Sequence, residues 1–461
     1  MANDRRGGPL STLLGKIGSA LWPIPVLGVL IAIGLGILLP AIDGWLDEPG
    51  GHPLTFAFGG GASAARDLLA AIAGSLISVT GLTFSLTVIA LQLSSSQYSP
   101  RVLQTFATDR VVQLTLAQLM LTFVYALTVL RTVRTESATE DDTAFVPRLS
   151  ISVAYVLTLG SVLALVLFLE HLSRVLRVET MLRDVHDEGS RTIHRELGSA
   201  DEDEDGDGDG AEDGDGTARP GLPPGVAVPL VARSSGFLVG LAEDDAVRAA
   251  RDGGVQVRLA VRMGDSVVEG TPVAHVWVDS PGAPVDAARL AEELDGALEL
   301  HFERSPARDV AYALRKVVDI AVRALSPGIN DPTTAVHAFS HASALLGALA
   351  TRPSDARFLR DDEGAVRVVV PAWELPALLQ LVLEEPLQFA EGQPAVLRRV
   401  AGLLREFAWR ARGRGVDEQV THYVARVAAL AEETASVAET ETREWRHAVD
   451  LALAGSWPPP S

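Results

Sequence analysis

Four apolar stretches near the start of the chain constrain its folding more than any other feature. Residues 26–42, 68–93, 111–133 and 149–169 are each long and apolar enough for a helix to cross a hydrocarbon core, which is about 30 Å thick and takes roughly 17 to 25 helical residues. No later segment qualifies. Buried helices of a large soluble protein would be distributed along the whole chain. Their confinement to residues 1–170 therefore indicates a four-span membrane domain. Trp22 and Trp45 flank the first stretch as interfacial anchors. The Leu-Pro-Ala-Ile-Asp that ends this stretch is a poor cleavage site, and Arg5-Arg6 lacks a twin-arginine context, so an uncleaved anchor is expected.

Orientation follows from the basic residues near the span ends. Arg5, Arg6, Lys16, Arg101, Arg110, Arg174, Arg177 and Arg183 fall on one side. The other side has Arg66, Arg131, Arg134 and Arg148 among acids that include Asp43, Asp47, Glu48 and Asp67. Both termini are therefore expected in the cytoplasm.

The chain carries a net charge of −20, which argues against a nucleic-acid partner because phosphate binding needs a basic footprint. Much of that charge sits in residues 199–225, where ten acids face only Arg219. This segment is expected to be a solvated acidic linker without fixed structure. Asp201, Asp203, Asp205, Gly206 and Glu212 within it fit a calcium-loop spacing, but the glycines and prolines that follow forbid the exiting helix, so the match is attributed to composition. The absence of cysteine excludes disulfides, thiolate metal sites and a cysteine nucleophile.

The second span carries the unusual chemistry. At about 100° per residue, Ser75, Ser78, Ser85, Gln92 and Ser96 fall on one helix face, and Thr80, Thr83, Thr87 and Ser94 fall on the opposite one. Such stripes either line a wet path through an oligomer or pack helices together. Gln92 is the residue that packing explains least. No acidic or basic residue lies in the middle of any span, which weighs against a buried proton relay. Broken-helix repeats of the kind seen in many secondary transporters are absent too.

Beyond the spans, residues 171–198 read as an amphipathic juxtamembrane helix. Residues 226–282 switch to a period of two and read as a small β-rich module. Within it, RMGDSVVEGTPVAHV resembles half of a biotinyl or lipoyl barrel-sandwich. No lysine lies between Lys16 and Lys316, so covalent attachment of either group is excluded and no cofactor is expected. Residues 283–454 read as a helical domain with one hairpin at 357–370, followed by a tail at 455–461. Ser305-Pro306 is the expected start of a long helix that stops at SPGINDPTTA. Asp309 and Asp319 are expected on its solvated face. The corner at Ser326, Gly328, Asn330 and Asp331 is either a capped turn or a place where helix-start amides meet an anion or partner. His337 and His341 share the spacing of a metal pair, but no third ligand is evident, so no metal is expected. No nucleophile, base and orienting group can be assembled, so an enzyme is not expected.

Two long motifs, GLTFSLTVIALQLSSSQYSPRVL and DIAVRALSPGINDPTTA, resemble the signatures of a bacterial family of predicted membrane proteins known as domain of unknown function 2254. The resemblance extends over most of the chain. It implies a four-span inner-membrane protein with a large soluble domain, and it implies no established activity. The expected fold is thus an α-helical multi-pass membrane domain followed by a soluble α+β domain with a β-module and a helical bundle. The expected partners are the lipid bilayer and further copies of the chain. The leading functional expectation is an oligomeric channel for ions or small solutes with a cytoplasmic regulatory domain. A membrane-anchored sensor or scaffold binding a ligand or protein is the alternative.

Overall fold

The computed structural model describes residues 22–46, 58–97, 109–134, 145–175, 177–198, 227–278, 286–352 and 356–457. The acidic linker, the calcium-loop match and the basic residues Arg5, Arg6, Lys16 and Arg101 lie outside this set. The chain divides into two compact units, residues 1–180 and 181–461.

The first unit holds the four apolar helices, α1 (Pro23–Leu46), α2 (Ala62–Gln97), α3 (Arg110–Leu130) and α4 (Arg148–Val175). Their outward faces are greasy: Leu30, Ile37, Leu38, Val156, Leu163 and Val166 are all exposed, as lipid-facing side chains must be. The third helix is the hub, touching α1, α2 and α4. Glycine permits a close approach of α1 to α3, because a Cβ at Gly36 of α1 would stand 2.7 Å from the Thr128 side chain of α3.

Helix α5 (Val178–Leu197) lies almost wholly in the second unit. It lays Met181, Leu182, Val185 and Ile193 inward. Gly189 sits so tightly against Ala313 and Leu345 that a Cβ there would lie 2.8 Å from Ala313. Strands β1 (Val228–Val231), β2 (Gly236–Leu241), β3 (Val255–Leu259), β4 (Ser266–Val267) and β5 (Pro272–Val278) follow, with α6 (Glu243–Asp252) inserted between β2 and β3. The β-rich stretch does not close on itself. It recruits α7 (Ala287–Ala297), β6 (Leu298–His301) and the hairpin β7 (Arg357–Arg360) and β8 (Val366–Val370) from further along the chain. One sheet runs β1-β5-β3-β8-β7 and the other β4-β2-β6. The β3–β8 pair is parallel, with Val257 opposite Val368. Both sheets share one core with α6 and α7, built on Leu238, Val257, Val276, Leu290, Leu294 and Val368. Gly264 and Gly270 do occupy tight turns with φ of 88° and 81°. The likeness to a barrel-sandwich ends at those corners, because helices and a parallel pair complete the layer.

The helical part comprises α8 (Val310–Leu325), α9 (Pro332–Ala350), α10 (Leu375–Leu383), α11 (Pro394–Arg410), α12 (Asp417–Glu433) and α13 (Glu439–Leu453). The first of these starts later than Ser305-Pro306 suggests, because its cap is Asp309, whose carboxylate accepts from the Tyr312 amide at 3.1 Å. Nor is Asp309 on a solvated face. It is 3% exposed and pairs with Arg304 at 2.6 Å, and Gly264 must lack a side chain because a Cβ would strike this carboxylate. Burial pushes the Asp309 carboxyl above its usual range, against the opposing pull of Arg304. Asp319 is also buried and pairs with Arg315 at 2.8 Å.

His337 and His341 gather no metal set, since no group of three potential ligands occurs among the described residues. His341 instead packs against His186 of α5, ring centroids 5.1 Å apart. Burial, then the nearby His186 and His337, lower the His341 pKa below the ordinary 6.5, while Asp187 pulls the other way. The folded state therefore favours neutral His341, and its protonation costs stability as pH falls below about 6.5. Thermal melts between pH 7.5 and 5.5 should show the soluble unit losing stability toward acid. His341→Gln should flatten that slope.

Candidate functional site

The second span separates its polar residues onto two sides, as the spacing demands. Thr83 and Thr87 are buried within the helix cluster, whereas Ser75, Ser78, Ser85 and Gln92 are exposed. Packing within one chain thus accounts for the threonine side and leaves the serine side unexplained. Leu82 and Ile89 stand between the serines on that side, so the face alternates hydroxyl and apolar groups. Between Ser75 and Thr87 each hydroxyl donates to its own preceding turn, among them Ser75 to Ile72 O at 3.1 Å, Ser78 to Gly74 O at 3.2 Å, Ser85 to Gly81 O at 2.9 Å and Thr87 to Thr83 O at 2.9 Å. With the proton committed, each serine oxygen presents only lone pairs to its surroundings. At 36 residues α2 is about 54 Å long, well beyond the hydrocarbon thickness, and its part long and apolar enough to cross a membrane runs Ala62–Gln92. Gln92 is the last residue of that part, and the side chain of Ser96 lies outside the described residues.

Sequence reasoning missed the polar links that hold the spans together. Asp43 is not a loop charge. It sits inside α1, 7% exposed, and its carboxylate accepts from the amides of Leu149 and Ser150 at 2.9 Å each and from Ser150 Oγ at 2.6 Å. One helix thus caps the N-terminus of another, where unpaired amides and the positive end of the helix dipole favour an anion. Tyr125 of α3 donates to the Ser150 carbonyl at 2.9 Å and joins the same buried knot. Midway along α3, Thr122 and Ser161 share a hydrogen bond of 2.9 Å, and Gln118 reaches Leu157 O at 3.2 Å. Toward the far end Asp109 caps α3 through the Val111 amide at 2.8 Å and meets His171 Nε2 at 2.5 Å. A polar pair at each level of α3 and α4 would have been the sequence signal: Asp109 with His171, Thr122 with Ser161, and Tyr125 with Ser150.

The Ser326–Asp331 corner spends its polar groups on itself. The Ser326 carbonyl accepts from the Ile329 and Asn330 amides at 3.0 and 2.9 Å, and Asn330 takes a left-handed φ of 50° to close the turn. Asp331 caps α9 through the Thr334 amide at 3.1 Å and hydroxyl at 2.6 Å. That hydroxyl, with the Thr334 and Thr333 amides, holds the Asp331 carboxyl below its usual range against the counter-effect of burial. Asn330 Oδ1 also accepts from Gln393 at 2.9 Å. An incoming anion would meet a carboxylate already seated on the helix start. Gly328 has open space where a Cβ would stand.

The family model described as "Predicted membrane protein (DUF2254)" matches residues 18–406. The chain belongs to this family. Relatives include "Uncharacterized protein Mb1321c" of Mycobacterium bovis and "Uncharacterized protein Rv1290c" of Mycobacterium tuberculosis. Each is 32% identical over 403 residues, covering 86% of this chain and 73% of the relative. No solved structure matches. Membership in DUF2254 agrees with the apolar helices and the lipid bilayer as their surroundings, and its description carries no activity.

Among the features of this site, the Asp43 knot makes the plainest demand on stability. Asp43→Ala would leave two amides and a hydroxyl without their acceptor in an apolar surrounding. We expect a loss of about 2 kcal/mol in detergent unfolding, with Asp43→Asn recovering part of it.

Proposed function

We propose that this DUF2254 protein assembles as a homo-oligomer in the bacterial inner membrane, with the Ser75, Ser78 and Ser85 side of α2 lining a path for ions or small solutes. The single observation behind this reading is the exposure of that side in one chain while the threonine side is packed. In lipid the lone pairs of that hydroxyl row gain nothing. Against further copies of itself it gains a polar interior. Because the hydroxyl protons are bound to helix carbonyls, the path offers acceptor oxygens, which suits cations better than anions. Gln92 would stand at its cytoplasmic mouth, with both termini in the cytoplasm and the soluble unit regulating passage there. The role is non-enzymatic.

Flux from dye-loaded liposomes tests this. The purified protein should pass monovalent cations, and Ser78→Leu/Ser85→Leu, inserted and folded to the same extent, should reduce that flux at least tenfold. Absence of flux for several ions and under osmotic stress would refute the reading.

A further inference from the structure

The soluble unit holds an open cleft of about 440 Å³ between α9 and α11, within the size range of small-molecule sites. Its origin is legible in both helices. On α9, Ser340, Ser343, Ala344 and Gly347 recur at helical spacing, so the side toward α11 is low and leaves room. Opposite them stands Trp409, and the third wall is Trp457, brought in from the end of the chain.

The placement of Trp457 is built. Helix α13 ends in a reversal in which Gly455, at φ 79°, donates to Ala452 O at 3.1 Å and Ser456 donates to Leu451 O at 2.8 Å. This is the paired bonding of a glycine-terminated helix end, and it turns the chain back on itself. Trp457 then meets Trp409 edge-on, with centroids 5.6 Å apart. Arg405 lies over the Trp457 ring at 4.6 Å and Arg412 over the Trp409 ring at 4.6 Å. Each tryptophan is thereby held by a guanidinium, which fixes an aromatic corner.

The polar groups of the cleft are arranged for an anion. Glu406 is its carboxylate, but Arg399 holds both oxygens, at 2.9 and 2.6 Å, and Ser343 donates to one of them as well. These bonds outweigh burial and keep the Glu406 carboxyl below its usual range, so it forms a neutral pair with Arg399. Arg405, Arg410 and Arg412 remain as net positive charge around the aromatic corner, in a chain whose total is −20. Arg410 lines the cleft, anchored through Nε to Gly347 O at 3.3 Å and otherwise exposed at the rim. Arg405 Nε is buried with no hydrogen-bond acceptor, a cost the fold accepts beside this wall.

We propose that this cleft binds a planar aromatic anion, its ring on the Trp409–Trp457 corner and its carboxylate or phosphate at Arg410. Both ligand features are required, since the corner offers stacking area without selectivity and the arginine offers charge without shape. The proposal is independent of the permeation reading.

The test is calorimetric titration of the purified full-length protein with AMP, salicylate, adenosine and inorganic phosphate. AMP and salicylate represent the two sources of such an anion, while adenosine lacks the charge and phosphate lacks the ring. At least one of the first two should bind saturably with Kd below 1 mM, and the control lacking charge or ring should be at least tenfold weaker. Arg410→Gln and Trp457→Ala should each raise that Kd at least tenfold with the melting temperature unchanged. Should Trp457→Ala disturb the fold, Trp457→Phe should retain most of the affinity. Saturable binding by neither AMP nor salicylate overturns the proposal. So does binding that Arg410→Gln leaves intact, or that adenosine or phosphate matches.

Discussion

A carboxylate buried between helices holds the membrane half of this protein together. Helix α4 begins with amides that have no partner within their own helix, and Asp43 of α1 supplies an acceptor for those of Leu149 and Ser150. The same carboxylate binds the Ser150 hydroxyl, and Tyr125 of α3 binds the Ser150 carbonyl, so three spans converge on one residue. At the other end of α3, the Asp109–His171 contact joins α3 to α4 again. Between the two ends, hydroxyl and amide bonds tie the same pair. Because α3 is secured on these sides, α2 packs on it with one face only. The serine side of α2 stays open as a consequence of that arrangement.

The soluble unit follows a comparable logic with different means. Its β-layer is completed by segments distant in sequence, and Asp309 serves both as the cap of α8 and as the partner of Arg304 beneath the Gly264 turn. Helix α5 lies on α8 and α9 through Gly189, through His186 beside His341, and through the pairing of Glu188 with the buried Lys316 at 2.6 Å. The helix that follows the last span therefore belongs structurally to the soluble unit.

Much of this was legible in the sequence, and the remainder was hidden for physical reasons. Hydropathy locates the four spans because lipid imposes a length and a polarity on each of them. Capping chemistry locates the turn from Ser326 to Asp331 because Pro332 and Asp331 act on the nearest residues. The role of Asp43 depends on a helix more than a hundred positions away, and hydropathy registers only a charge at the end of an apolar run. Helix α6 escapes the period-two reading because its buried positions, Ala246, Ala249 and Ala250, are too small to stand out among its charges. The parallel β3–β8 pairing has no local signal at all. Trp457 looks like a tail residue until the glycine reversal after α13 folds it back. On α2, periodicity separates the two polar sides, and only packing tells which of them is covered.

A wet interior on the serine side of α2 can be measured directly, because the chain contains no cysteine. Single cysteines at positions 75, 78 and 85, and at the neighbouring positions 77 and 84, can be exposed to a membrane-impermeant thiol reagent in proteoliposomes. Rapid modification is expected at 78 and 85 and protection at 77 and 84, which point about 100° away along the same helix. Equal protection at all five positions would contradict it.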